Sequence, residues 1–209
     1  MAFSDTHFTR TRPYLYHLTD RENLNHIRAT PVLLSAAVLM QQAGDTSYLR
    51  AKRESSIQVT VGQRVFNIRD QQPLYEGNMT LQGGYRFGDV IELLNQRVFF
   101  WPGTPSGPIS YGERHFLRYV DDQPVILRVA TAELFQANNG VSPLYCRYNS
   151  GSPRCSYGQG SPRGPDTFVT AADADFTASN TVEVTFLDQV TLPARVEVSD
   201  SINGPWRTI

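Results

Sequence analysis

The chain of 209 residues has little cysteine: only Cys146 and Cys155, nine positions apart in a stretch rich in Gly, Ser, Pro and Arg. Two thiols do not complete a zinc site, and no histidine lies near them in sequence, so no metal is expected. A disulfide would close only a short loop, and reduced thiols are the simpler expectation. An excess of either charge is also lacking, with 19 Lys and Arg against 20 Asp and Glu. A protein that holds nucleic acid by phosphate contacts alone is usually more basic, although a local basic groove fits inside a neutral total. No apolar run approaches the roughly 20 residues that span a bilayer, and the first twelve residues contain no apolar signal stretch. A cytoplasmic protein with no membrane partner is expected. Absent too are the G-x-x-x-x-G-K-[ST], G-x-G-x-x-G, H-E-x-x-H and G-x-S-x-G patterns, and with them the chemistries those loops and helices support.

What is present is a 40% apolar composition, enough for one core, and no repeat or linker that divides the chain. A single domain over 1–209 is expected, with 1–12 a tail or edge segment. Strands are predicted at 13–19, 57–61, 97–101, 124–131, 181–187 and 193–198 from β-branched and aromatic content. The strand at 97–101 is expected to stop at Pro102-Gly103. Helices are predicted at 21–28 behind an Asp20 cap, at 46–53, 89–95 and 113–120, and a short strand enters a helix within 32–40. Residues 70–84 and 107–112 read as loop. Residues 138–166 form a long irregular stretch of the kind that is either functional or disordered. Strands and helices do not alternate regularly, which favours an α+β class over a doubly wound sheet.

Three polar groups gather at the first strand-to-helix corner. On a strand, His17 and Thr19 share a face, and Asn23 follows in the first helical turn. Near the other end, Glu183 interrupts an apolar strand. Val182, Val184 and Phe186 point one way, Glu183 and Thr185 the other; an ordinary fate for such a glutamate is the solvent face. In the aromatic strand Arg97-Val98-Phe99-Phe100-Trp101, alternation puts Phe99 and Trp101 with Arg97, and core packing alone would explain it. Arg50 and Arg53 lie in a basic cluster that otherwise reads as a solvated face. Arg147, Arg154 and Arg163 make the irregular stretch basic, suited either to phosphates or to a plain surface loop. The segment Ile68-Arg69-Asp70-Gln71-Gln72-Pro73-Leu74 has no evident mechanism and reads as structural.

The stretch from Tyr16 to Ile27, YHLTDRENLNHI, resembles the opening motif of the DarT-type DNA ADP-ribosyltransferase toxins. The counterparts are Tyr16, His17, Thr19, Asn23, Leu24, Ile27 and the step Leu33-Leu34-Ser35; the glycine usual before that step is replaced by Pro31-Val32. The Glu183-Val184 strand, followed by Val190 and Pro193, is similar to the catalytic-glutamate strand of the same superfamily. The resemblance implies a split, mostly antiparallel β-core with flanking helices and NAD⁺ in the cleft. It implies Glu183, with Arg53 and His17, as catalytic residues, and His17, Leu18, Thr19, Asn23, Phe99 and Trp101 around NAD⁺. It makes 168–180 the substrate-recognition loop. It implies NAD⁺ as co-substrate, a DNA or RNA base as favoured acceptor with protein or a small molecule as alternatives, and an antitoxin or hydrolase partner. Other functions of the same fold are a non-catalytic NAD⁺ or nucleotide-binding module, an NAD⁺ glycohydrolase and an RNA 2′-phosphotransferase.

Overall fold

A computed structural model describes residues 3–209. The chain begins with helix α1 (Asp5–Thr11), strand β1 (Tyr14–Thr19), α2 (Leu24–Ala29), β2 (Val32–Leu34) and α3 (Ala36–Gln42). A hairpin follows, β3 (Ile57–Val61) and β4 (Arg64–Ile68), then β5 (Met79–Leu81), α4 (Phe87–Asn95), β6 (Arg97–Thr104) and β7 (Gly107–Pro108). The second half contains α5 (Ser110–Arg118), β8 (Val125–Ala130), α6 (Thr131–Ala137), β9 (Leu144–Cys146) and β10 (Ser161–Arg163). It ends with β11 (Glu183–Leu187), β12 (Gln189–Thr191), β13 (Glu197–Ser199) and β14 (Arg207–Thr208). The class is α+β.

The main sheet has the order β14-β13-β8-β1-β6-β11-β9, with every pairing antiparallel. Its centre forks. β1 pairs with β8 along all six residues, but with β6 only from Tyr14 to Tyr16, where Tyr16 faces Trp101. The first half of β6, Arg97 to Phe100, pairs with β11 instead. Beyond Tyr16, β1 and β6 share no ladder bond, so the sheet opens between them. Three small pairs flank it: β3–β4, β2–β12, and a parallel pair β5–β10. The main core lies where Leu15, Val98, Phe100, Leu127, Val184 and Phe186 meet. Two central strands buried on both faces explain why β8 (VILRVA) and β11 (EVTFL) read as nearly continuous apolar runs.

Several expectations are corrected. Residues 3–12 are not a tail: Ser4 caps α1 by accepting the His7 N–H at 3.2 Å, and Phe8 is buried against Tyr145 and Phe135. Met1 and Ala2 lie outside the described residues. The helix behind Asp20 starts later, at Leu24, because Asp20 instead holds the Glu22 N–H in a tight turn at 2.9 Å. No helix forms at 46–53. The Asn95 amide donates to the Tyr48 and Leu49 carbonyls (2.8 and 3.1 Å), and Gln71 brackets Arg53 from both sides, so tertiary partners take the bonds a helix needs.

The strand at 97–101 runs on through Pro102 and Gly103 to Thr104. β11 leaves β6 after Phe100, so nothing on that side needs the N–H that proline lacks. Gly103 is required there: a Cβ would lie 2.3 Å from the Gly107 carbonyl oxygen and 2.7 Å from the Tyr16 ring. The stretches at 70–84 and 138–166 hide short strands (β5, β9 and β10) whose partners are remote in sequence, and 107–112 holds β7, which pairs with the adjacent end of β6, and the start of α5. The last predicted strand shifts to Glu197–Ser199.

Candidate functional site

The fork in the sheet opens into a cavity of about 530 Å³, within the range of small-molecule sites. Its walls come from β1, β6 and β11, the β3–β4 hairpin, the 68–73 segment and the turn at 149–152. Among the described residues no group of His, Cys, Asp and Glu could hold a metal ion, and no helix is long and apolar enough to cross a membrane.

Glu183 stands at one end. It is only 3% exposed, so the solvent-face alternative for this residue is overturned. It opens β11 opposite Cys146 of β9. Oε1 accepts the Ser150 N–H at 3.0 Å, whereas Oε2 is buried with no partner. Burial raises its pKa from the ordinary 4.5 to about 7, against the opposing pull of Ser150 and Arg163. The Ser150 hydroxyl is likewise buried without a partner. Glu183 Oε2, an acceptor, and the Ser150 hydroxyl, which both donates and accepts, form a polar receptor where they line the cavity.

His17 stands where the sheet opens. Its Nδ1 bonds the Phe99 carbonyl at 2.8 Å, spanning the gap that the β1–β6 ladder leaves. A carbonyl only accepts, so Nδ1 carries the proton and Nε2 remains an acceptor. Burial lowers the His17 pKa to about 4, which keeps the ring neutral at pH 7. His17 on β1 and Glu183 on β11 come from the two strands that flank β6, and both line the cavity.

The opposite wall is cationic. Arg53 is buried, its Nε donating to the Arg69 carbonyl at 2.9 Å and Nη1 to Asn95 Oδ1 at 2.8 Å. Arg69 donates from Nη2 to the Thr19 carbonyl at 3.1 Å and lies 4.7 Å over the Tyr119 ring. Among the described residues neither these two nor Arg97 pairs with a carboxylate. Desolvation lowers the pKa of all three, to about 10 for Arg53 and Arg97. Arg69 Nε, Arg97 Nε and Trp101 Nε1 are buried donors without acceptors. Guanidiniums without a direct ion pair, although Asp20 and Asp70 also line the space, and orphaned donors around it suit an anionic ligand. Beside them the His115 ring packs 4.6 Å from Trp101, and burial lowers its pKa to about 4.

The residues that the resemblance places at the site, namely Glu183, Arg53, His17, Leu18, Thr19, Asn23, Phe99 and Trp101, all line this cavity. Asn23 does so with its amide engaged: Oδ1 accepts the Asn67 N–H and Nδ2 donates to the Asn67 carbonyl, both at 3.0 Å. It clasps the β3–β4 hairpin to α2, and His26 adds a bond to the Val65 carbonyl at 2.7 Å. Leu18 buries its side chain among Tyr16, Trp101 and Ile126. Arg50 is on the outer surface, bound to Asp89 and Glu92. Arg147 pairs with Asp175 on the surface, and Arg163 is buried rather than part of an exposed basic loop. The segment 68–74 is more than structural filler, since Arg69, Asp70, Gln71 and Pro73 line the cavity. Its signal was an Arg-Asp pair between an apolar strand end and a proline. Ser150 and Asn95 carried none. Both thiols are free, Cys146 buried and Cys155 exposed.

Residues 13–197 match the model of a family of unknown function, DUF7002. The chain belongs to that family. The matched span takes in both ends of the cavity, from β1 to β11. No curated protein and no solved structure matches the chain.

Proposed function

We propose that this protein is an NAD⁺-dependent mono-ADP-ribosyltransferase. The observation that carries the reading is Glu183: a buried carboxylate fixed by one oxygen, the other unsatisfied, lining the same cavity as a neutral histidine. The fork between β1 and β6 supports a split core, and the NAD⁺ lies along it. Cleaving nicotinamide from NAD⁺ leaves an oxocarbenium-like ribose, the charge pattern met in glycoside cleavage. Glu183 Oε2 accepts the ribose 2′-hydroxyl and stabilises that cation. With a pKa near 7 it is also matched to taking a proton from the acceptor. His17 Nε2 accepts from the adenosine-side ribose. Arg53 and Arg69 face the pyrophosphate, and Phe99 or Trp101 packs against the nicotinamide. The acceptor we favour is a nucleic-acid base, with the local cationic wall rather than the net charge supplying attraction.

The test is nicotinamide release from NAD⁺ by the purified protein and by Glu183→Ala. The arms are no acceptor, single-stranded DNA, RNA and cell lysate. Release that needs Glu183 and rises with one acceptor is expected and names the substrate class. Release that needs Glu183 but ignores every acceptor makes the protein a glycohydrolase. NAD⁺ binding without release makes it a binding module, and neither binding nor release overturns the reading.

A further inference from the structure

Arg163 is 1% exposed, among the largest fully buried side chains of the molecule, yet among the described residues no carboxylate pairs with it. A buried guanidinium without a counter-ion is costly unless its donors are otherwise engaged. They are: Nη2 donates to the Asn149 carbonyl at 2.8 Å, Nε to the Ser150 carbonyl at 3.2 Å, and Nη1 to Ser161 Oγ and the Pro162 carbonyl, both at 2.7 Å. The Tyr148 ring lies 5.2 Å from its carbon centre. The Asn149 carbonyl and the Ser150 N–H belong to one peptide unit. That N–H is the donor held by Glu183 Oε1 at 3.0 Å.

We propose that Arg163 is the positioning residue of Glu183, acting through the Asn149–Ser150 peptide. The guanidinium draws charge toward the carbonyl end of that peptide and makes its N–H a stronger donor, as chains of hydrogen bonds polarise one another. The carboxylate is thereby anchored by Oε1 and turned so that Oε2 alone is left for a ligand. Donation to the charged form also favours ionisation, opposing the burial that raises the Glu183 pKa. The other titratable group facing Glu183 is the Cys146 thiol across β9, which burial keeps protonated. β6 brings no charge to it, since Arg97 sits at the far end of that strand pair, opposite Leu187.

The activity readout rests on the transferase reading; the titration readout does not. In the native protein, the carboxyl carbon of labelled Glu183 and the Ser150 amide proton are followed by NMR across pH 4–10. The two resonances are expected to move together with one midpoint. An amide proton that ignores the Glu183 titration overturns the proposal without any mutation. In Arg163→Gln the Glu183 midpoint is expected to rise by about one pH unit, with Arg163→Lys, which keeps the charge but not the fork, in between. Nicotinamide release by Arg163→Gln then falls about five-fold at pH 7 and recovers by pH 9. A loss that is equal at every pH, with an unmoved midpoint, reduces Arg163 to a loop staple and also overturns it. Should Arg163→Gln not fold, the lysine variant and the native titration decide. Should the native protein release no nicotinamide, the transferase reading fails while the two NMR titrations still judge this one.

Discussion

The two ends of the cavity are built in opposite ways. At the His17 end many polar groups are spent on the fold, while Arg69 Nε and Trp101 Nε1 stay without acceptors. Nδ1 closes the gap to Phe99, the Asn23 amide clasps Asn67, and Arg69 holds the Thr19 carbonyl. At the Glu183 end one carboxylate oxygen and one serine hydroxyl are left unsatisfied. The first end sets a geometry and has a neutral ring; the second keeps unspent hydrogen-bonding capacity and titrates near pH 7. A rigid, pre-arranged wall facing a few unsatisfied groups is what a site needs if binding is not to be offset by reordering.

The largest effect expected from breaking this contrast is at Glu183. Glu183→Gln keeps the shape and removes the charge, and nicotinamide release is expected to fall about a hundred-fold or more. The same substitution should stabilise the fold. A carboxyl whose folded pKa is raised contributes stability in full below pH 4.5 and loses it as pH rises through about 7. Glutamine does not ionise, so its advantage grows across that window to about 3 kcal/mol at pH 8. Denaturant melts at pH 4 and pH 8 check this; an advantage that is equal at both values contradicts the assignment.

The other end responds with the opposite slope. The folded pKa values of His17 and His115 are lowered to about 4, so their contribution is complete above pH 6.5 and is lost as pH falls toward 4. His17→Ala leaves the Phe99 carbonyl without its donor, which costs about 1–3 kcal/mol. It is expected to weaken NAD⁺ binding about ten-fold by calorimetry, and to flatten the acid limb of the stability profile.

A smaller loss, about 1–2 kcal/mol, is expected for Asn23→Ala. Hydrogen exchange should then quicken at Asn67 and Val65 in the hairpin before it does in β1. Smallest of all, Arg50→Ala should change neither activity nor melting detectably, because its pairs with Asp89 and Glu92 lie on the outer surface. A marked loss of activity there would move the anion-facing role from Arg53 to Arg50.

Much of the His17 end is written locally. Strand β1, the turn at Asp20 and the helix that follows are consecutive, and alternation alone puts His17 and Thr19 on one face. The helix expected at 46–53 shows where local reading stops. Its carbonyls are taken by Asn95 and its Arg53 is bracketed by Gln71, residues about 20 to 50 positions away whose propensities say nothing of that contact. The same holds for β9 and β10, short strands in a Gly- and Pro-rich stretch that form because β11 and β5 offer edges. The strand continues through Pro102 against the local stop signal, because whether the missing N–H matters depends on where β11 departs.

The sequence by itself determined the α+β class, the central strands β1, β6, β8 and β11, and the shared face of His17 and Thr19. Side-chain period and composition are local properties, and they suffice for those. Only the tertiary structure decided that the sheet forks after Tyr16, that Glu183 is buried with one oxygen free, and that Arg163 lies behind it. Those depend on which backbone groups find partners across 14 to 82 residues of chain, and hydrogen bonding between separate segments is settled only when the segments pack.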